Sequence, residues 1–332
     1  MFTSSVTAIR PSHAFRLLSS LSGSPSTTGA LLAVDAKIRD HYGLIAVHES
    51  TLFERLQAAV SLLKTSSNRR VTADDLHEFD ELHVGGAEAT HRLIENIRKN
   101  RPIIKDVLDL GCGLGGPTRA IANAFECNCW GIDLTPDMVS CAELLTAELR
   151  ENQKGSLSFF PGSILNLPFF CEENSFDVAT LIHVGMNIKQ KSMLFSEAFH
   201  VLRPGGIFAV YDIMIMNSQN AAAATSNEIL YPLPWASDAD HSFLETCDAY
   251  VSTAEEAGFT TVSTENRGEL AKSFFQKQEE KRKKRNHIDG GPKSFFPMSL
   301  AMGETARDKV TNLRNLIDSN IVEPFEIIFK KP

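Results

Sequence analysis

Residues 106–133 concentrate the carboxylates and glycines that could hold a nucleotide-like ligand. A short apolar strand is predicted over 106–110 and carries Asp109 next to its end. Four glycines follow directly: Gly111, Gly113, Gly115 and Gly116. Glycines let the backbone turn sharply and approach a ligand without a Cβ in the way. With a helix predicted over 117–125, the order of strand, glycine loop and helix is typical of a nucleotide-binding turn.

Two acids indicate which ligand this turn would hold. The GxGxxG spacing of Gly111, Gly113 and Gly116 also occurs in dehydrogenases and is a weak signal alone. Asp109, however, could accept hydrogen bonds from an ammonium group, whereas it would repel a pyrophosphate. Asp133 ends the next apolar strand, where a carboxylate accepts both hydroxyls of a ribose. A ligand with an amino acid at one end and a ribose in its middle is S-adenosylmethionine.

The glycine loop is the first of several motifs that resemble one enzyme family. VLDLGCGLGG at 107–116 and GIDL at 131–134 resemble motifs I and II of the class I S-adenosylmethionine-dependent methyltransferases. Three later motifs continue the match in the family's order: FFPGSI at 159–164, SFDVA at 175–179 and the VLRPGG turn at 201–206. The chain is most similar to the small-molecule branch, which includes ubiquinone and menaquinone C-methyltransferases, sterol methyltransferases and sarcosine/dimethylglycine N-methyltransferases.

The resemblance implies S-adenosylmethionine as the cofactor and assigns residues to each of its parts. The expected contacts are, for the methionyl end, Asp109, Gly111, Gly113 and Gly115; for the ribose, Asp133; and for the adenine, Leu134, Met138, Ser163 and the Ile164 amide. Many relatives carry Asp or Ala at the position of Ser163. The serine hydroxyl can still accept a hydrogen bond from the adenine amino group, less strongly than a carboxylate would.

Candidates for catalysis follow the strand predicted over 176–182, at a position that in this superfamily faces the transferred methyl group. His183 is either a general base or a hydrogen-bond donor to the cofactor carboxylate or to a nearby carbonyl, and both interpretations stay open. Asn187 would orient a polar group of the substrate. Asp212 is a second candidate base. No metal is expected, because methyl transfer from a sulfonium needs chiefly a dry pocket that aligns the nucleophile with the methyl group.

Aromatic and polar residues outside the cofactor motifs are candidates for binding the methyl acceptor. They are Tyr42, His83, Asn187, Tyr211, Tyr231 and Trp235. Tyr42 and His83 would equally serve as ordinary packing residues. Aromatic side chains suit a quinone or sterol, and they also form cation–π cages around methylated amines. The NPPY-type tetrapeptide of nucleic-acid amino-methyltransferases is absent after 176–182, which argues against a nucleobase acceptor.

The predicted fold is α/β: a doubly wound, Rossmann-like, seven-stranded and mostly parallel sheet with N-terminal helices. Strands are predicted over 106–110, 128–133, 157–161, 176–182, 207–213, 259–265 and 321–330, and helices near 117–125, 136–150, 190–202 and 246–257. The resembling fold inserts its last strand antiparallel between its neighbours. Residues 35–100 are expected to form a helical lid, and residues 101–332 a methyltransferase domain. Lid insertions are expected after the fifth strand (214–244) and between the last two strands (268–320).

Composition excludes several classes of protein. A formal net charge of −8 argues against a general nucleic-acid binder, and no apolar run is long enough to span a bilayer. Six cysteines show neither zinc spacing nor a disulfide framework. Residues 1–34 are rich in serine, lack Asp and Glu, and resemble a mitochondrial transit peptide; a plastid address or a cytoplasmic chain with a plain tail are the alternatives.

The leading hypothesis is S-adenosylmethionine-dependent methylation of a small organic acceptor, at nitrogen or carbon. The acceptor would be an amine or a quinone- or sterol-like molecule, and a homodimer is allowed. Two alternatives stay open: a nicotinamide-dependent oxidoreductase, which the GxGxxG spacing favours, and a catalytically silent subunit that binds S-adenosylmethionine.

Overall fold

Within the described residues of the structure, which is a computed structural model, three helices precede the sheet. The structure describes residues 51–67, 71–149, 153–216, 229–286, 302–303 and 305–332. The predicted leader at 1–34 and the candidate Tyr42 therefore lie outside the described residues. The three helices are α1 (Leu52–Ser67), α2 (Ala73–Asp80) and α3 (Gly86–Asn100).

Seven strands form one sheet in the order β3-β2-β1-β4-β5-β7-β6. They are β1 (Asp106–Leu110), β2 (Asn128–Asp133), β3 (Ser156–Pro161), β4 (Phe176–Ile182), β5 (Leu202–Ile215), β6 (Thr260–Asn266) and β7 (Val322–Lys330). Strands β1 to β5 pair in parallel, and β7 runs antiparallel between β5 and β6. The predicted fold class, including the inserted last strand, is confirmed.

In the described part of the chain, six further α-helices connect these strands. They are α4 (Gly116–Phe125), α5 (Pro136–Leu149), α6 (Lys191–Val201), α7 (Cys247–Glu256), α8 (Gly268–Asn286) and α9 (Ala306–Asp318). Every residue of β4 is buried, as expected for a central parallel strand covered on both faces. Helices α8 and α9 fall within the predicted insertion between the last two strands. No helix of the described part is long and apolar enough to cross a membrane.

The predicted strand bounds differ from the structure chiefly at β5. Residues 201–206 were expected to turn before a strand at 207–213, but Leu202 already pairs with Phe176 of β4. The register then shifts before Val178 pairs with Ile207, and Gly205 adopts a φ of 73° within the irregular stretch. The Pro-Gly-Gly sequence therefore forms a bulged start of the strand rather than a separate turn.

Strand order determines where a ligand can bind. The sheet runs outward from β1 through β2 to β3 on one side and from β4 to β5 on the other. In open α/β sheets, the crevice at such a reversal, beyond the carboxyl ends of the strands, is the usual binding site. Here that crevice lies between the glycine loop after β1 and the residues that follow β4.

Candidate active site

The glycine loop after β1 has a backbone conformation that residues with a side chain rarely adopt. Gly111, Gly113 and Gly115 have φ values of 84°, 51° and 79°, all in the left-handed region. A Cβ on Gly111 would collide with the side chain of Val184, which follows β4. A Cβ on Gly113 would meet no atom within 4 Å. The loop is thus packed against the protein at Gly111 and open at Gly113.

The carboxylate of Asp133 lies next to this opening, at the end of β2. Its Oδ2 accepts a hydrogen bond of 2.9 Å from the Gly113 amide, and its Oδ1 accepts one of 2.9 Å from the Thr135 amide. The two amides fix the orientation of a half-buried carboxylate at the rim of the crevice. A ribose with two adjacent hydroxyls matches such a fixed bidentate acceptor.

Asp109 is held differently. Its side chain is only 2% exposed, and its two oxygens accept hydrogen bonds from the hydroxyls of Thr118 (2.6 Å) and Thr180 (2.7 Å). Burial raises the pKa of this carboxyl above its ordinary value, and the threonine hydroxyls partly oppose that rise. Both oxygens of Asp109 are therefore already engaged by neighbouring strands and helices before any ligand is considered.

The residues predicted at the adenine have mixed surroundings. Leu134 and Ser163 are half-buried, whereas Met138 and Ile164 are buried. Met138 packs in a cluster that joins α5 to the first two helices and the glycine loop: Leu56, Leu76, Leu114, Cys141 and Leu145. Its side chain therefore contributes to the wall behind the loop.

His183, directly after β4, has an unusual conformation. Its φ of 55° is rare for a residue with a side chain, and its amide donates a 2.8 Å hydrogen bond to the Tyr211 carbonyl. The ring stacks on Tyr211 at a centroid distance of 5.4 Å. Its Nε2 is buried and has no hydrogen-bond partner among the described residues. Burial, reinforced by His83, lowers the pKa of His183 well below its ordinary value, so the imidazole is neutral near pH 7.

Residues 80–86, from the last residue of α2 to the first residue of α3, contact the glycine loop after β1, His183 after β4 and Tyr211 of β5; we call them the capping segment. The His83 ring is 5.7 Å from that of His183, and the Tyr211 hydroxyl donates a 2.9 Å hydrogen bond to the Val84 carbonyl. His83 Nε2 hydrogen-bonds the Gly86 carbonyl at 3.1 Å. Burial lowers the pKa of His83 to about 4. The structure thus brings three predicted residues, His83, His183 and Tyr211, into one buried cluster.

Asp212 does not join that cluster. Successive side chains of a strand point to opposite faces of the sheet, so the side chain of Asp212 lies on the face opposite to that of Tyr211. Its Oδ2 accepts a 2.8 Å hydrogen bond from the Tyr250 hydroxyl beneath the turn that contains Gly185 and Asn187. Asp212 is fully buried, and that burial raises the pKa of its carboxyl to about 6.

The predicted acceptor residues of the first insertion pack into a further cluster. Trp235 is 3% exposed and donates a 2.9 Å hydrogen bond from Nε1 to the Ser242 hydroxyl, and Tyr231 is half-buried beside it. The cluster, which we call the insertion cluster, joins this loop to α8, α9, the turn after β4 and the capping segment: Val84, Met186, Leu233, Trp235, Phe275, Leu313 and Ile317. Tyr231 and Trp235 therefore stand in an apolar layer that reaches the site through Val84 and Met186.

Several polar residues of the site escaped the sequence prediction. Arg119 of α4 donates to Asp80 Oδ2 (2.7 Å) and to the Leu114 carbonyl (2.8 Å), and both members of the ion pair are buried. Glu81 accepts a 2.8 Å hydrogen bond from the Thr90 hydroxyl. No local sequence spacing predicts these contacts, because they join the end of α2 to residues of later helices. No cluster of three or more metal-ligating side chains occurs among the residues that the structure describes.

Part of the chain is similar in sequence to known methyltransferases. Residues 108–210 match a family profile described as a methyltransferase domain. Among curated proteins, sterol 24-C-methyltransferase erg6 of Schizosaccharomyces pombe is 28% identical over 160 residues, covering 48% of this chain and 41% of the relative. ERG6 of Saccharomyces cerevisiae is 31% identical over 127 residues, covering 38% and 32%. The aligned part is thus less than half the length of either relative.

Solved structures share the fold at low sequence identity. Phosphoethanolamine N-methyltransferase 2 of Haemonchus contortus, in complex with S-adenosyl-L-methionine, has a TM-score of 0.59 and 16% identity, covering 82% of this chain and 59% of that protein. Geranyl diphosphate C-methyltransferase of Streptomyces coelicolor A3(2) has a TM-score of 0.52 and 12% identity, covering 92% and 100%.

The fold and the site together define a Rossmann-like methyltransferase: an antiparallel β7 between β5 and β6, a glycine loop after β1, and an acid at the end of β2. The matched domain at 108–210 and the sterol 24-C-methyltransferase relatives support recognition of the chain as a class I S-adenosylmethionine-dependent methyltransferase of the small-molecule branch. S-adenosylmethionine is the cofactor of that family.

Proposed function

We propose that this chain catalyses S-adenosylmethionine-dependent methylation of a small organic acceptor, at nitrogen or carbon. The observation that carries the proposal is the opening at Gly113, which lies within hydrogen-bond distance of a fixed carboxylate at Asp133. The residues present fit the cofactor. The open space at Gly113 would let the cofactor approach the backbone of the loop, and Asp133 presents two oxygens for the ribose of the cofactor. When bound, the cofactor supplies an electrophilic methyl group on a positively charged sulfur.

His183 is the residue we expect to handle the proton of the acceptor. Methylation of an amine or a carbon releases one proton overall, and a neutral imidazole with an unpartnered Nε2 can accept it. The surrounding rings of His83 and Tyr211 exclude water from this nitrogen. Asn187, in the turn after β4, would orient a polar group of the acceptor.

A sterol- or quinone-like acceptor is our first choice of substrate class. The curated relatives quoted above are named as sterol 24-C-methyltransferases, and the insertion cluster supplies an apolar layer beside the capping segment. A methylated amine is the second choice, since the aromatic residues Tyr231 and Trp235 would also suit a cation.

Two binding experiments and one activity assay test this proposal. Calorimetric titration should show binding of S-adenosylmethionine and none of NAD; the opposite result would favour an oxidoreductase. The protein should then add one methyl group, seen by mass spectrometry, to a member of a panel of sterols, quinones and methylated amines. Cofactor binding without product from any acceptor would favour a silent cofactor-binding subunit.

A further inference from the structure

Two adjacent carboxylates in the capping segment are buried and incompletely partnered. Asp80 is 4% exposed and Glu81 6% exposed. Asp80 Oδ1 and Glu81 Oε1 have no hydrogen-bond partner among the described residues. Buried polar atoms in folded proteins are nearly always hydrogen-bonded, so a pair of such oxygens in one place calls for an explanation. A cationic donor from a ligand would supply one.

Asp80 touches the glycine loop directly. Its Cγ lies 3.0 Å from the point where a Cβ on Gly116 would be, so Gly116 has to be a glycine for the two segments to meet. Its Oδ2 accepts a hydrogen bond from the guanidinium of Arg119, which also donates to the Leu114 carbonyl. Asp80 therefore couples the capping segment to the part of the loop that should line the amino-acid end of the cofactor.

Glu81 lies between that loop and the two histidines. Its Oε2 accepts from the Thr90 hydroxyl at 2.8 Å and is 3.5 Å from His83 Nε2, whose ring faces His183. The charge of Asp109 is also close enough to act on Glu81. The unpartnered oxygen thus belongs to a side chain that lies next to Asp80, which contacts the loop, and next to His83, whose ring faces the proposed proton acceptor.

The charges around the loop favour a cation. The carboxyl groups of Asp80, Glu81, Asp109 and Asp133 surround it, and the guanidinium of Arg119 is bound to Asp80. An excess of carboxylates raises the electrostatic affinity for a positively charged group. Of the acids beside the loop, Asp109 already accepts a hydroxyl on each oxygen and Asp133 a backbone amide on each, whereas Asp80 and Glu81 each keep one oxygen without a partner among the described residues.

We propose that Glu81, supported by Asp80, accepts the methionyl ammonium group of S-adenosylmethionine. The inference rests on the proposed function and deepens it: the capping segment, and not only the glycine loop, recognises the amino-acid end of the cofactor.

The ionisation of Glu81 gives the proposal a second observable. Burial, and then the charge of Asp80, raises the pKa of Glu81 to about 8, while Thr90 and Arg119 act in the opposite direction and Asp109 adds to the rise. At pH 7 the carboxyl is therefore largely protonated in the free chain. An ammonium group beside it stabilises the carboxylate, so binding should release a proton from Glu81.

The test compares two ligands and two variants by calorimetry. S-adenosylhomocysteine carries the ammonium group, and 5′-methylthioadenosine is the same nucleoside without the amino acid. Glu81→Gln should weaken S-adenosylhomocysteine about tenfold or more and leave 5′-methylthioadenosine unchanged. The matched control is Glu88→Gln, which makes the same Glu-to-Gln change at an exposed residue of α3 paired with Arg92 and Lys277, and it should change neither affinity.

Proton release provides the independent readout. Titrations of the wild type at pH 7 in buffers of different ionisation enthalpy should show release of close to one proton with S-adenosylhomocysteine, and none with Glu81→Gln. Equal weakening of both ligands, or no weakening of either, would overturn the assignment of Glu81. A wild-type chain that binds neither S-adenosylmethionine nor S-adenosylhomocysteine would refute the proposed function itself, and this outcome is visible before any variant is made.

Discussion

Two buried carboxyl groups near the carboxyl end of the sheet, Asp212 and Glu81, differ in how they are partnered. Asp212 accepts from the Tyr250 hydroxyl and from the Ile213 amide, and the ammonium of Lys191 is close enough to lower its pKa against the effect of burial. Glu81 has one satisfied oxygen, bound by Thr90, and one without a partner among the described residues.

This difference separates a structural acid from a candidate ligand-binding acid. A buried carboxylate with donors on both oxygens stabilises the fold, and removing it leaves those donors unsatisfied. A buried carboxylate with an unused oxygen costs free energy in the unliganded chain, and a ligand can recover that cost. The sequence predicts Asp212 as a candidate base and carries no signal for Glu81, although the hydrogen bonds of the two carboxyl groups favour Glu81 as the ligand-binding acid.

The largest expected effect is on stability, from Asp212→Ala. The substitution leaves the buried Tyr250 hydroxyl without its hydrogen-bond acceptor and removes a negative charge near Lys191. The free energy of unfolding should therefore fall by about 3 kcal/mol. Urea denaturation measures it. The folded fraction should still bind S-adenosylhomocysteine with wild-type affinity. Normal stability combined with lost turnover would instead make Asp212 the catalytic base.

The second effect is on turnover, from His183→Gln. Loss of the neutral imidazole should lower kcat by about 100-fold, since general-base catalysis typically contributes that much or more. Affinity for S-adenosylhomocysteine should change little. Steady-state kinetics with the acceptor found in the panel assay provides the measurement. A variant with wild-type kcat but weakened cofactor binding would support the other interpretation, in which His183 holds the cofactor carboxylate.

The third effect is on affinity, from Asp133→Ala. Without the carboxylate that Gly113 and Thr135 orient, S-adenosylmethionine should bind more weakly by about 1–3 kcal/mol. Calorimetric titration of the variant checks this. Unchanged affinity would mean that the ribose is held elsewhere.

The most gradual effect, spread over several pH units, is a pH dependence of stability that belongs to Glu81. Because its folded-state pKa is raised from 4.5 to about 8, the folded chain retains a proton that the unfolded chain releases. The stability of the wild type should therefore fall as pH rises from about 4.5 to 8, relative to Glu81→Gln, by roughly 1 kcal/mol per pH unit. Urea denaturation of both chains across this range measures the difference. Parallel curves would show that Glu81 is not the protonated group.

Much of the sheet could be predicted because its signals are local. Short apolar runs bounded by glycine and polar residues place six of the seven strands within one residue of their observed bounds. The exception is β5, where Pro204, Gly205 and Gly206 signal a turn, yet Leu202 on the other side of the bulge already pairs with β4. Tertiary hydrogen bonding overrode the local preference there.

The polar part of the site could be predicted only in part. Asp109 and Asp133 stand at strand ends beside glycines, a pattern that sequence shows directly. Asp80 and Glu81 follow the acidic first turn of α2 and look like solvated helix residues. Only the fold brings Asp80 to Arg119 and His83 to His183, contacts that no local spacing encodes.

A crystal structure of the complex with S-adenosylhomocysteine would be the most direct test of the binding site. We expect the ribose hydroxyls within hydrogen-bond distance of the Asp133 carboxylate, and the ammonium group in contact with Glu81 Oε1. A nucleoside bound away from the glycine loop, with Asp133 still held only by the Gly113 and Thr135 amides, would contradict the proposed site.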